Sequence, residues 1–446
     1  MPLENSGPQR RPGLARPAVV SFEQAPPISV PMRFFLAAPL FGVAAALVVL
    51  FEGTGIWISR WSAGTLALTH LMTLGFLAMV MVGSLMQILP VVAGAPIRHV
   101  LIVSGTVHAL LGLGTLALVD GFLFRHVRML RLALMLLAAA FIVFVGAAAD
   151  SLVRARNATI TVRGMRYSIA ALTVTVCLGL LLGGARAWQL RLAVPRITAL
   201  HLVWGLMGWV GLLVVSVGFQ VVPMFQTTPP YPRNLAAWLP GLTFATLSLW
   251  SLARWIGTGS VPARDVLAAL ASLLGLGFAL FAVTTLALQR RRRREMPDVT
   301  VRFWRIGMAS LLGSVLIGWT ALWNPGAVPP PVELSWGILV IFGFGASVIS
   351  GMLYKIVPFL VWLHLQASAG GRGKLPNMKE IIPDRRAGIQ LDLHVAALLL
   401  LTGAPWLPGL LTYPGAAALG LSNLLLWANL FSAYRLYGKN LAGRCG

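Results

Sequence analysis

Three of the seven histidines in this 446-residue chain stand inside long apolar stretches: His70, His108 and His201. Ionisable groups in hydrocarbon cost several kcal/mol, so each is a candidate functional residue. A neutral imidazole is a ready ligand for haem iron or copper. The alternative, in a membrane, is an interhelical hydrogen bond to a hydroxyl or a carbonyl. His70 and His201 each lie about seven residues into their stretches, at roughly equivalent places, which is ~10 Å of helix. His108 lies near the middle of a third stretch. His99 and His126 belong to loops beside arginines and read as solvated, while His364 and His394 stand near stretch ends with no obvious partner.

The stretch that holds His70 runs HLMTLGFLAMVMVGSLMQILP and closes on Gln87 and Pro90. The ending recurs as Gln220-Val-Val-Pro223 and Lys355-Ile-Val-Pro358, so that the three prolines are almost evenly spaced along the chain. A near-constant period of this kind predicts three copies of one unit. Gln87 and Gln220 come well beyond their histidines, over ~25 Å along a helix, so they belong to a different layer. Their expected role is to cap carbonyls freed by the prolines three positions on. Lys355 is expected to snorkel to headgroups. Met72, Met79, Met81, Met86 and Met207 read as core filler or lipid-facing side chains. Trp57, Trp61, Trp188, Trp255 and Trp323 fall near stretch ends, as an interfacial belt requires.

The elements that must position these residues follow from composition. Hydrophobic residues make up 58% of the chain and charged ones 11%, against about 25% charged in a soluble domain, and the mean hydropathy is +0.82. The class is integral membrane protein. Twelve stretches, most at or above the ~20 residues that cross a bilayer, are predicted at 33–53, 63–92, 99–119, 129–152, 167–188, 195–226, 235–255, 262–289, 304–323, 334–363, 391–411 and 414–436. In groups of four, the second stretch of each group is the longest and carries the proline ending.

The net charge of +23 sits in short loops rather than on one basic face, which argues against a nucleic-acid partner. With the N-terminus inside, 25 of the 35 Lys and Arg fall on the cytoplasmic side and nine outside, so both termini are expected in the cytoplasm. The run at 289–295, QRRRRRE, reads as a topology anchor, or as a binder of anionic headgroups. The two cysteines, Cys177 and Cys445, imply neither a disulfide nor a metal cluster. The segment from Met1 to Pro31 is polar and proline-rich without a signal-peptide core and reads as a disordered tail. Walker, CxxCH and Rossmann motifs are missing, which argues against ATP hydrolysis and nicotinamide chemistry within this chain.

Twelve stretches in three fours, with histidines early in the second and sixth, resemble the haem–copper oxidase subunit I superfamily. The resemblance covers about residues 33 to 436 and implies a pseudo-threefold twelve-helix bundle. On it, His70 falls at a low-spin haem ligand of the second helix, and His201 at a copper ligand of the sixth. The departures are specific. Counting back from Pro358 by the interval seen in the other two units reaches Trp336 to Ile338, with no histidine for the tenth helix. The seventh stretch has no histidine pair, and no tyrosine follows His201 in the sixth. The chain therefore resembles a divergent, non-oxidase branch, similar to the NnrS family of membrane proteins linked to nitric oxide stress and reported to hold haem and copper.

The expectation is an all-α integral membrane protein with about twelve transmembrane helices in three pseudo-symmetric repeats, 33–152, 167–289 and 304–436. The membrane domain spans 32–437, between cytoplasmic tails at 1–31 and 438–446. It is placed in the inner (cytoplasmic) membrane, in contact with lipid and with a redox partner protein. Haem b or copper is expected at His70 and His201, with His108 as a further cofactor candidate, in redox or nitric oxide metabolism. A cofactor-free transporter and a structural subunit of a redox complex are the alternatives. Transporters usually repeat in even halves, and the missing third histidine favours the structural subunit.

Overall fold

The computed structural model describes residues 25–155, 159–257, 261–293, 298–323, 328–369 and 376–445. Residues 1–24 of the expected tail, Arg156 and Arg294 of the basic loops, and 370–375 of the glycine-rich loop lie outside the described residues.

The described secondary structure is entirely helical. In chain order the long helices are α1 (Ser29–Glu52), α2 (Ala63–Ala93), α3 (Val100–Leu123), α4 (Val127–Arg154), α5 (Ile160–Ala187) and α6 (Val194–Gln226). They continue as α7 (Arg233–Ile256), α8 (Val261–Arg290), α9 (Val299–Trp323), α10 (Pro330–Ser368), α11 (Asp384–Gly403) and α12 (Pro408–Cys445). Eleven, all but α11, are long and apolar enough to cross a membrane. The helix α11 has 20 residues, about 30 Å of rise, but Gln390, Asp392 and His394 dilute its apolar run. Two of these have partners inside the protein: Gln390 Nε2 donates to Ser422 Oγ at 2.9 Å, its Oε1 being buried without a partner among the described residues, and His394 Nε2 lies 2.8 Å from Ser347 Oγ.

The last two helices start earlier than the apolar pattern predicts. Pro383 precedes α11 and Asp384 occupies its first turn, where a carboxylate meets the positive end of the helix dipole. Gly403, Pro405 and Pro408 then set the break before α12. Likewise α1 begins at Ser29, inside the expected tail, and α12 runs on to Cys445, through the expected 438–446 tail.

Three helices are more buried than the rest. In their most apolar windows 83%, 67% and 72% of α2, α6 and α10 residues are buried, against 56% or less elsewhere. Each contains a π-helical segment: Leu71–Ala78, Trp204–Gly211 and Leu339–Ala346. The segments are spaced as the prolines are, each starting the same distance before Pro90, Pro223 or Pro358. The segments of α2 and α6 both pack on that of α10. A π turn widens the helix and concentrates at functional sites.

The same spacing recurs in packing. The fifth residue of each π segment is glycine: Gly75, Gly208 and Gly343. A Cβ on Gly75 would lie 2.5 Å from Phe41 of α1, on Gly208 3.0 Å from Ala171 of α5, and on Gly343 2.7 Å from Ser310 of α9. Each central helix is thus approached closely by the helix before it in its group of four. Small residues at crossing points permit such contact where no hydrophobic force separates protein from lipid.

Candidate functional site

His70 ends the first α-helical segment of α2, immediately before the π turn. Its Nδ1 lies 2.7 Å from the carbonyl of Leu66. His201, on α6, places its Nδ1 3.0 Å from the carbonyl of Thr175 on α5. A carbonyl only accepts, so each Nδ1 carries the proton and donates it. In the neutral ring this leaves Nε2 as a lone-pair donor to metal. No described group takes either Nε2 in a hydrogen bond. Fixing one ring nitrogen on a carbonyl is how proteins orient metal-binding histidines.

The two rings meet across the helices, with centroids 6.4 Å apart and planes 19° from parallel. Phe122 of α3 flanks His70 at 5.3 Å. Gly179 of α5 makes room for His201, since a Cβ there would sit 2.9 Å from the imidazole Cε1. Both histidines line a cavity of about 1050 Å³ at one end of the bundle, as large as the largest ordinary ligand clefts. Trp57, Trp61, Arg60, Arg186 and Glu333 are among its walls. Arg60 and Glu333 pair at 3.5 Å, each side chain 45% exposed, a contact worth no more than about 1 kcal/mol.

The resemblance assigns the two histidines to two centres; here they share one cavity. A metal held by imidazole nitrogen at ~2.0–2.1 Å lies about 3.2 Å from the ring centre, so two rings sharing one ion have centres at most about 6.5 Å apart. The observed separation falls within that limit. Among the described residues no three His, Cys, Asp or Glu side chains gather as a metal cage. A metal here would have two imidazoles and would need either a macrocycle for its other positions or the low coordination of cuprous copper. The donor set and cavity volume fit both.

His108 does not join this pair. It sits on α3 ten positions before Leu118, where that helix first lines the cavity, or ~15 Å along the axis. Its ring is edge-on to Phe34 at 5.3 Å, and its Nε2 is buried without a hydrogen bond among the described residues. Nor are His70 and His201 strictly equivalent. In the register set by prolines and π turns, the position of His201 corresponds to Leu68 and Trp336, and that of His70 to Val203 and Ile338. The indole of Trp336 donates to the carbonyl of Ser314 at 3.0 Å, so the third helix offers structure at this level instead of a ligand.

Other expected partners differ. Lys355 does not reach for headgroups: its Nζ lies 2.6 Å from Asp298 Oδ2, and Asp298 also accepts from the amide of Val301 at the start of α9. The Oε1 of Gln87 is buried without a hydrogen-bond partner among the described residues. His364 has partners after all, the carbonyls of Leu360 at 2.9 Å and Pro26 at 3.2 Å. His394 is fully enclosed, against Ser347, Phe342 and Phe303. Four of the five belt tryptophans are exposed, while Trp57 is buried and donates to Thr412 Oγ1 at 2.8 Å. Thr175, Gly179, Phe122 and Arg186 carry no signal in the sequence, because interhelical packing alone brings them to the site.

No protein-family model matches this sequence, and no curated protein matches it.

Proposed function

We propose that this chain is a multi-pass protein of the inner membrane with a haem–copper oxidase-like, three-fold arrangement of four-helix units. In this reading it holds b-type haem or copper between His70 and His201, in redox or nitric oxide metabolism, and is not a terminal oxidase. The carrying observation is the pair of facing imidazoles, each pinned through Nδ1 to a carbonyl and each with Nε2 unused, in one large cavity. The threefold reading rests on the shared spacing of prolines, π turns and close-packed glycines. The excess of Lys and Arg in alternate loops supports cytoplasmic termini.

A bound haem or copper would supply one-electron exchange. The chain's own contribution is orientation. The carbonyls of Leu66 and Thr175 fix the tautomers, Gly179 seats one ring, and Phe122 flanks the other. His70 and His201 would hold such a group through their two imidazoles, and the chemistry it would supply there is electron transfer. Arg60 and Arg186, as cavity walls, are suited to carboxylates on such a group.

The test is the absorption spectrum and metal content of the purified protein. A Soret band or about one equivalent of copper, reduced in His70→Ala, is the expected result. Protein purified from cells supplied with haem and copper, and carrying neither, would sink the proposal. That outcome would leave a cofactor-free permease, with the large cavity as its substrate chamber.

A further inference from the structure

On the other side of the π-helical layer from the histidines lies a second cavity, of about 160 Å³. Helices α2, α6 and α10 supply nearly all of its wall, with Trp304 of α9. The lining follows the common register: Met81, Val214 and Ile349 form one level, and Ile88, Val221 and Ile356 another. The wall is apolar except for Ser84, the amides of Gln87 and Gln220 and the indole N–H of Trp304. These amides are neutral, and among the described residues no charged side chain lines the chamber. An ion entering it would lose its hydration without compensation.

One layer divides this chamber from the histidine cavity. On α2 the wall of the histidine cavity reaches Ala78 and that of the small chamber begins at Val80; on α10 the first ends at Phe342 and the second begins at Val348. Leu77 and Gly345, each buried, line neither cavity, and Val210, on the wall of the histidine cavity, holds the corresponding place on α6. A Cβ on Gly345 would lie 3.1 Å from a methyl of Leu77, so these two helices touch at this level. At the opposite end of the small chamber's wall Met224 is 46% exposed.

We propose that the small chamber is a second ligand site, for one uncharged apolar molecule no larger than about benzene, and that the Leu77–Val210–Gly345 layer keeps its occupant out of the histidine cavity. The size argument is direct. A cavity of ~150 Å³ lined by aliphatic and aromatic side chains stays dry and binds benzene or xenon, and this one matches it in volume and wall chemistry. Water gains little there, because a buried water needs two to four polar partners and most of the wall offers none. On this wall the buried Oε1 of Gln87 is an acceptor without a partner.

Xenon is the probe. The structure of the full-length protein under xenon pressure should show xenon among Met81, Ile88 and Met352. Ser84→Phe, which extends a ring into the chamber, should lower that occupancy at least tenfold while leaving the elution profile unchanged. Val217→Phe does the same from α6 should the first variant fail to fold. Leu77→Ala should add xenon density at the dividing layer, joining the two cavities. A wild-type chamber free of xenon, or filled by a lipid or detergent tail, overturns the assignment. Unchanged separation in Leu77→Ala overturns the role of the layer. None of these readings depends on haem or copper, so they succeed or fail apart from the cofactor proposal.

Discussion

Replacing Gly179 with alanine should weaken cofactor binding without unfolding the protein. The added Cβ would lie 2.9 Å from Cε1 and 3.4 Å from Nδ1 of His201. Carbon–carbon contact becomes favourable only at ~3.5 Å or beyond, so the ring must retreat from α5 by roughly 0.6 Å. The carbonyl that holds it, Thr175, is four positions earlier on the same helix and therefore on the same face. Retreat from Gly179 is also retreat from Thr175, and the 3.0 Å hydrogen bond stretches to about 3.6 Å, where it no longer counts as one. The lost bond costs about 0.5–1.5 kcal/mol. Alanine returns about 1 kcal/mol in a helix interior, so the net change in stability is near zero. The effect on binding is not. Losing the partner that orients a metal-binding histidine costs roughly 10–100-fold in affinity. Titration of the apoprotein with haem or cuprous ion, followed by absorbance, should show a fall of that size beside an unchanged thermal midpoint. Gly146→Ala on α4, where a Cβ meets nothing within 4 Å, is the control and should leave affinity alone. Equal affinity in Gly179→Ala and wild type would refute the chain of reasoning from Gly179 to His201 to the site.

His70→Ala and His201→Ala should each abolish cofactor occupancy, and the double variant should lose nothing more, because residues acting on one ion are non-additive; two half-losses in the metal analysis would instead indicate two centres. Asp298→Ala removes both the cap of α9 and the partner of Lys355, and should cost about 1–3 kcal/mol in denaturant unfolding, more than Lys355→Met, which keeps the cap. Equal costs would show that the ion pair carries no weight beyond the cap. Gly75→Ala drives a Cβ to within 2.5–2.6 Å of Phe41 Cγ and Cβ, close to the backbone of α1, whereas Gly112→Ala meets the tips of Met79 at 3.5 Å and Phe41 at 3.9 Å, both ordinary contacts. The first should therefore destabilise by about 1–3 kcal/mol and the second should not, as a comparison of thermal unfolding curves would show.

The architecture was largely legible because its signals are local. Apolar length alone predicts a helix, and Pro90, Pro223 and Pro358 mark the three central ones by their spacing. What the chain does not announce is anything fixed by a partner on another helix. Nothing near Lys355 in sequence points to Asp298, which lies 57 positions earlier, and nothing beside His394 points to Ser347. The π turns were illegible for a different reason. They occur inside uniformly apolar runs, where a change from α to π hydrogen bonding leaves the pattern of hydrophobic residues intact. Only the glycine at the fifth position of each segment hints at them, and glycines are common in this sequence.

The same distinction explains the histidine pair. The resemblance to a two-centre oxidase implies that His70 and His201, at equivalent positions of α2 and α6, serve separate centres. His201 is instead two positions early with respect to His70. Two positions of helix are about 3 Å of rise and about 200° of rotation, enough to turn a side chain to nearly the opposite face. On α6 the earlier position is the one that lines the cavity, since His201 does and Val203 does not, and the two rings lie 6.4 Å apart. A shift that looks like imprecision in the repeat thus places both imidazoles in one cavity. Moving the histidine into register, His201→Leu with Val203→His, should separate the nitrogens and abolish shared coordination. Full cofactor occupancy in that variant would mean that the pairing of His70 with His201 is incidental.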